Sequence, residues 1–275
     1  MERVGKHADQ QGDETSTATA TAPAIATVPG TLAWASAVGN RAVQRYAAAR
    51  RQVARLTPQE IIERNQVMED TTEEWSPKGW GVVPIPFAES RVLTSTEGRL
   101  LDSLTTSRGM VGLYDFRSIA DDAFSVSTAQ FPDPGTIPSY VPAEGVGNWK
   151  NNDGHRDAFR HCYWNARLTR EFGYSWTRQF TTAHEALPGN TAAREGMDLY
   201  NNKVGRIIAR DNPDADTDEL ATLVREAVDE GRLIVIDRSG NAAWSDEVAL
   251  WDHGLAPTGT REGVIAVPAG DASVR

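Results

Sequence analysis

Asp157-Ala-Phe-Arg160-His161-Cys162-Tyr-Trp164-Asn165 is the stretch whose reading decides the fold. Its residues suit a helix, and Asp157 and His161, four apart, place an acid and an imidazole on one helix face. Two later stretches repeat the combination: Ala183-His184-Glu185, and Met197-Asp198-Leu-Tyr-Asn201-Asn202-Lys-Val-Gly205-Arg206, where Asp198 and Asn202 are again four apart. Three helices that each turn a His or a carboxylate inward can meet at one polar centre. That is how a helical protein builds a metal or acid–base site.

Outward from this core, helical periodicity recurs in Thr96-Glu-Gly-Arg-Leu-Leu-Asp-Ser-Leu and from Gly112 to Phe124. Asp216 or Thr217 caps a further helix running through Glu230, and Gly231 ends it. Leu233-Ile-Val-Ile-Asp237, a Ser-Gly-Asn turn and Ala-Ala-Trp244 predict one β-hairpin. Thr57-Pro-Gln-Glu60 reads as a capping box opening an earlier helix. The expected fold is mainly α, a helical bundle with one small C-terminal β-hairpin.

The expected organisation has five parts. Residues 1–30, rich in Ala, Thr, Gly and Gln, bury too little apolar surface to offset chain entropy and form a disordered head. Residues 31–75 form a basic helical segment: Arg41, Arg45, Arg50, Arg51 and Arg55 fall where no acidic residue occurs, and Val38, Ala42, Tyr46, Ala49 and Val53 mark an amphipathic helix over Leu32–Leu56. Residues 76–95 form a Pro/Gly-rich linker, 96–255 the helical domain, and 256–275 a flexible tail. Phe131 to Asn148 reads as a loop leading to the Asn151–Gly154 turn.

The 275-residue chain carries a net charge of −10, against a surface that coats nucleic acid generically, although a nuclease stays open because a metal can receive phosphate without a basic exterior. The single Cys162 excludes an internal disulfide and a cysteine-rich zinc module. No apolar run approaches the ~18 residues that span a bilayer, so no stable membrane insertion is expected. The first residues lack the apolar core of a secretory signal, which predicts a cytoplasmic protein in its producer, taken elsewhere by other means.

The central residues admit two readings. In the first they are structural: Asp157–His161 and Asp198–Asn202 form a buried polar network that pins helix register in a binding or structural module. In the second, His161, His184, Glu185 and Asp198 are the chemical centre of a hydrolase, supported by Asp157, Arg160, Asn165, Asn201, Asn202 and Arg206. A divalent ion (zinc, manganese or calcium) would take His161, His184 and Asp198 as ligands, with Asp157 orienting His161 and Glu185 acting as general base. Without a metal, His161 or His184 is the base and Arg160 or Arg206 stabilises a developing anion.

With Thr182-Ala-His-Glu185, the Asp157–Asn165 and Met197–Arg206 stretches resemble an all-helical domain of unknown function found in actinobacterial proteins and in the C-terminal parts of polymorphic toxins, over roughly Thr96 to Ser245. At the other end, Ala37-Val-Gly-Asn-Arg-Ala-Val-Gln-Arg45 is similar to a "GNRAV" segment in cargo proteins of extracellular contractile injection systems. Together these imply a toxin-like effector loaded into an injection particle through its N-terminal region, with an immunity protein as a further partner. Arg160-His161-Cys162-Tyr-Trp-Asn165 also resembles the catalytic helix of bacterial phospholipase A2, implying lipid hydrolysis as an alternative. It departs from that family in carrying Cys162 where the calcium-binding Asp stands, and in lacking the disulfides.

Overall fold

The computed structural model describes residues 56–84 and 89–256, and within them the chain is mainly helical. The head at 1–30, the basic helix up to Arg55, the GNRAV segment and the tail from 257 lie outside the described residues.

Glu60 N donates to Thr57 Oγ1 at 3.2 Å and Thr57 N to Glu60 Oε2 at 2.8 Å, closing the expected capping box of α1 (Pro58–Arg64). Two antiparallel ladders follow: β1 (Thr72–Trp75) pairs with β4 (Arg91–Thr94), and β2 (Lys78–Gly79) with β3 (Val83–Pro84). The stretch read as an irregular linker at 76–95 therefore returns to pair with the strand before it, and the late hairpin is one of three ladders. Strands of two to four residues are too short to display the alternation that marks a strand in a sequence.

Thr94 and Glu97 close a second capping box at the head of α2 (Ser95–Gln130). This helix is broken at Gly109, whose φ of +67° is open to glycine at little cost, so the two helices predicted from 96 and from 112 are the halves of one run. The loop expected to extend to Asn148 ends earlier, because α3 (Val146–Asn151) begins within it. Then come α4 (His155–Phe172), α5 (Tyr174–Glu185), α6 (Ala192–Asp211) and α7 (Thr217–Asp229), the last opened by an Asp216–Glu219 capping box and closed by Gly231. The hairpin of β5 (Ile234–Ile236) and β6 (Ala242–Trp244) pairs Ile234 with Trp244, as expected.

α4 is the central element. Ala158, Phe159, Cys162, Tyr163 and Ala166 are sealed from solvent and pack in one cluster with Val204 and Ile208 of α6 and Leu220, Val224 and Val228 of α7. β5 is tied to α6 by Asn201, which donates to Ile234 O and accepts from Ile234 N, both at 2.9 Å. The start of the described chain packs on the same helix: Gln66 Nε2 donates to Ala192 O at 2.7 Å and Val67 N to Glu195 Oε1 at 2.6 Å. At the turn before α4, Asp153 receives two bonds from Arg194, at 2.8 and 2.6 Å, and one from Ala256 N at 2.9 Å. No helix among the described residues is long and apolar enough to cross a membrane.

α4 and α6 approach tightly at Gly205, where a Cβ would sit 1.9 Å from the Cys162 carbonyl oxygen. Backbone cannot rotate away as a side chain can, so the two helices would have to separate. Gly205→Ala is expected to lower stability by about 3 kcal/mol or more, at the upper end for overpacking, and a thermal melt with an unchanged midpoint would contradict this packing.

Candidate metal centre

Three buried polar ridges meet between α4, α5 and α6, each made of residues four apart: Asp157, His161 and Asn165 on α4, Thr177, Thr181 and Glu185 on α5, and Asp198, Asn202 and Arg206 on α6. Spacing of four keeps a ridge on one side of a helix. The contacts run in layers. Asn165, Thr181 and Arg206 meet at one end, His161, Glu185 and Asn202 in the middle, and Asp157 with Asp198 at the other end.

The direction of the amide and imidazole hydrogen bonds in these layers can be deduced. Arg206 is donor-only, and its NH1 lies 2.8 Å from Asn165 Oδ1 and 3.0 Å from Thr181 Oγ1. Asn165 Oδ1 is therefore an acceptor, and Asn165 Nδ2 donates to the His161 carbonyl at 3.0 Å and to Asn202 Oδ1 at 2.5 Å. Asn202 in turn donates from Nδ2 to Glu185 Oε1 at 3.0 Å. His161 Nδ1 faces two acceptors, Asn202 Oδ1 at 3.3 Å and Glu185 Oε1 at 3.6 Å. Nδ1 must carry the ring proton.

That leaves the Nε2 lone pair of a neutral His161 aimed at Asp157 Oδ1, 3.4 Å away, and Asp198 Oδ1, 3.6 Å away. Burial depresses the imidazole to a pKa of about 4 against the opposing Glu185 charge and Asn202 hydrogen bond, with the charges of Arg160 and His184 acting in the same direction as burial. Asp198 goes the other way. Burial, then repulsion by Asp157, Glu185 and Asp153, raise its carboxyl well above the ordinary range against the pull of Arg160. Its Oδ1 is buried without a hydrogen-bond partner.

Asp157 is held in place from outside the cluster: its Oδ2 accepts from Asp153 N at 2.6 Å, and Arg160 NH2 donates to its Oδ1. Arg160 also donates to the Asn151 carbonyl at 2.8 Å. Five carboxylates, Asp153, Asp157, Asp198, Glu185 and Glu97, stand among three cationic groups, Arg160, Arg194 and His184, an excess of two negative charges when all are ionised. A divalent cation would balance that charge. The atoms Asp157 Oδ1, His161 Nε2 and Asp198 Oδ1 lie within 4.8 Å of one another. Ligands bonded at about 2.1 Å to a tetrahedral ion lie about 3.4 Å apart, close to the two distances to Nε2. One imidazole and two carboxylates suit zinc or manganese better than calcium, which takes six to eight oxygens.

The ligand set expected from the sequence changes in one member. Asp157, expected behind His161, stands beside it. His184, expected as a ligand, turns its Nδ1 to Glu97 Oε1 at 2.8 Å. Asn165, Asn202 and Arg206 support the centre through the chain of donors above, whereas Asn201 points to β5. Thr181 and Glu97 carried no sequence signal of a site: threonine four residues from Glu185 reads as an ordinary helix face, and Glu97 is already explained by its capping box with Thr94. Cys162, on the far side of α4, is buried in the apolar core with its thiol pushed up by desolvation.

Residues 109–232 match the family model of a domain of unknown function, DUF6973. The match contains all three ridges and excludes Glu97, α1 and the β5–β6 hairpin. No curated protein and no solved structure matches the chain.

The centre and its support respond differently to substitution. In metal-free protein, Asp198→Asn removes a carboxyl that is destabilised where it stands, so the melting temperature is expected to hold or rise at pH 7. Asn202→Ala leaves Glu185 and Asn165 without partners and is expected to cost about 1–3 kcal/mol. A large loss for Asp198→Asn would make the carboxylate a structural element.

Proposed function

We propose that the described unit is a metal-dependent hydrolase whose ion is held by Asp157, His161 and Asp198. The observation that carries this reading is the convergence of the His161 Nε2 lone pair with two carboxylate oxygens, one of them buried and unpartnered. With both carboxyls ionised the arrangement is repulsive, and either a proton on Asp198 or a bound cation relieves it. When bound, a divalent ion polarises a substrate oxygen and makes water more acidic. In this reading Glu185, whose Oε1 accepts from Asn202 Nδ2 and lies on the Nδ1 side of His161, would act as the base, and Arg160 would orient Asp157 towards the ion. The Arg206–Asn165–Asn202 chain locks the His161 tautomer that presents Nε2.

We further propose that this hydrolase is the payload of a toxin-like effector carried by a contractile injection particle and matched by an immunity protein. The GNRAV resemblance at Ala37–Arg45 and the polymorphic-toxin resemblance of the three stretches support that context. A non-catalytic reading draws on the same satisfied donor chain, which would also pin helix register. It gives no reason for Asp157 and Asp198 to crowd one imidazole.

Elemental analysis of the full chain tests the reading. Wild type is expected to hold about one divalent ion per chain after reconstitution with zinc or manganese, His161→Ala and Asp198→Asn none, and His184→Ala the wild-type amount. Because burial and its acidic neighbours favour the protonated form of Asp198, and a metal ligand must give up its proton, affinity should rise with pH. Absence of metal from the wild type across all reconstitutions would sink the reading.

A further inference from the structure

One ion pair at the edge of this centre has no part in holding the ion. His184 stands next to Glu185 in the last turn of α5, and its ring meets that of Trp164 edge-on at 5.6 Å, one turn along α4 from His161. Its Nδ1 is 2.8 Å from Oε1 of Glu97, a residue 1% exposed. The other Glu97 oxygen, Oε2, accepts from Thr94 N at 2.8 Å, so the helix cap that opens α2 clamps the carboxylate that faces His184. A carboxylate on Nδ1 makes that nitrogen the donor and turns Nε2 away from Glu97. Nε2 has no hydrogen-bond partner among the described residues, and 45% of the side chain is exposed.

The charged groups facing His184 are Glu97 from α2, Glu185 from its own helix and Arg160 from α4. Desolvation alone would lower its pKa, and Arg160 acts the same way. The Glu97 hydrogen bond and the charges of Glu185 and Glu97 outweigh both and hold the ring at about 9, protonated at neutral pH. His161 and His184 are therefore set apart: one buried, neutral and presenting a lone pair, the other half-exposed, charged and presenting an N–H. Groups whose environments push their proton affinities apart divide the roles of a reaction between them.

We propose that His184, positioned by Glu97, is the proton donor to the leaving group of a phosphodiester hydrolysed at the Asp157–His161–Asp198 centre. This rests on the metal-dependent hydrolase reading. The cationic pair Arg160 and His184 at the edge of an otherwise acidic centre favours an anionic substrate group, and an alkoxide leaving a phosphodiester needs a proton. In the step, a water oxygen forms a bond to phosphorus while the bond from phosphorus to the leaving oxygen breaks. Glu185 takes a proton from the water, and His184 Nε2 gives its proton to the departing oxygen. Glu185 then loses its proton to solvent and His184 regains one, so the net change is diester plus water to alcohol plus phosphomonoester. Glu97 touches no substrate and is a positioning residue. It also lies outside residues 109–232, so the segment before the matched domain completes the site.

The test uses the full chain loaded with manganese and two diesters of the same thymidine 5′-phosphoryl group. One releases p-nitrophenolate, which departs without a proton, and the other, a thymidine dinucleotide, releases a sugar alkoxide. Phosphatidylglycerol vesicles, assayed in parallel, distinguish a lipid headgroup diester from a nucleic-acid one. His184→Gln is expected to slow the alkoxide substrate by about 10²-fold or more and the p-nitrophenyl ester far less, with metal content unchanged. Glu97→Gln, which keeps the helix cap, is expected to slow the alkoxide substrate about tenfold and to lower the pH at which the His184 ring loses its proton by NMR. Equal losses on both leaving groups, or none on the alkoxide, would overturn the proposal while the metal centre stands. So would metal-loaded wild type that cleaves no phosphodiester. A wild type that binds no metal overturns the hydrolase reading itself.

Discussion

Arg206 is the constraint from which the rest of the centre follows. A guanidinium has five donors and no acceptor, and this one is buried between α4, α5 and α6. Asn165 must present its oxygen to it, Asn202 must present its oxygen to Asn165, and His161 must place its proton on Nδ1. One buried cation, about two turns from the acidic end of the ridges, thereby decides which nitrogen of His161 meets Asp157 and Asp198. The packing that allows this is equally specific, because α4 and α6 approach closely enough to share the network only where Gly205 lacks a side chain against the Cys162 carbonyl.

Stability and chemistry pull apart along the same ridges. At the Arg206 end, NH1 donates to both Asn165 Oδ1 and Thr181 Oγ1 and ties the three helices in register, although the buried Arg206 Nε has no hydrogen-bond partner among the described residues. At the other end, carboxylates crowd a neutral imidazole, the Asp198 carboxyl is pushed well above its ordinary range by burial, and one of its oxygens has no partner. A fold selected only for rigidity has no use for that second end; local conflict of this kind is characteristic of sites. A cation bound there would compete with protons for Asp198, which would couple occupancy of the centre to pH.

Much of this was legible in the chain. Pairs four apart, Asp157 with His161 and Asp198 with Asn202, predict shared helix faces, and the capping box at Thr57 and the cap read at Asp216 or Thr217 place helix starts correctly. Contacts between helices were not legible, because spacing along one helix says nothing about which residue of another it meets. That is why His184 reads as a ligand from its sequence neighbours while the structure brings Asp157, rather than His184, together with His161 and Asp198. Glu97 was hidden differently: the capping role of Glu97 is a sufficient explanation of a glutamate three residues after Thr94, and its second oxygen acquires a meaning only when α5 is laid against it. The short strands before α2 carry too few residues to show a period.

The most direct test of the central claim is an anomalous difference map from crystals of the full chain soaked with manganese. The account predicts one strong peak about 2.0–2.3 Å from Asp157 Oδ1, His161 Nε2 and Asp198 Oδ1, with His184 still turned to Glu97. A peak coordinated by His184, or none between the two aspartates and Nε2, would contradict it.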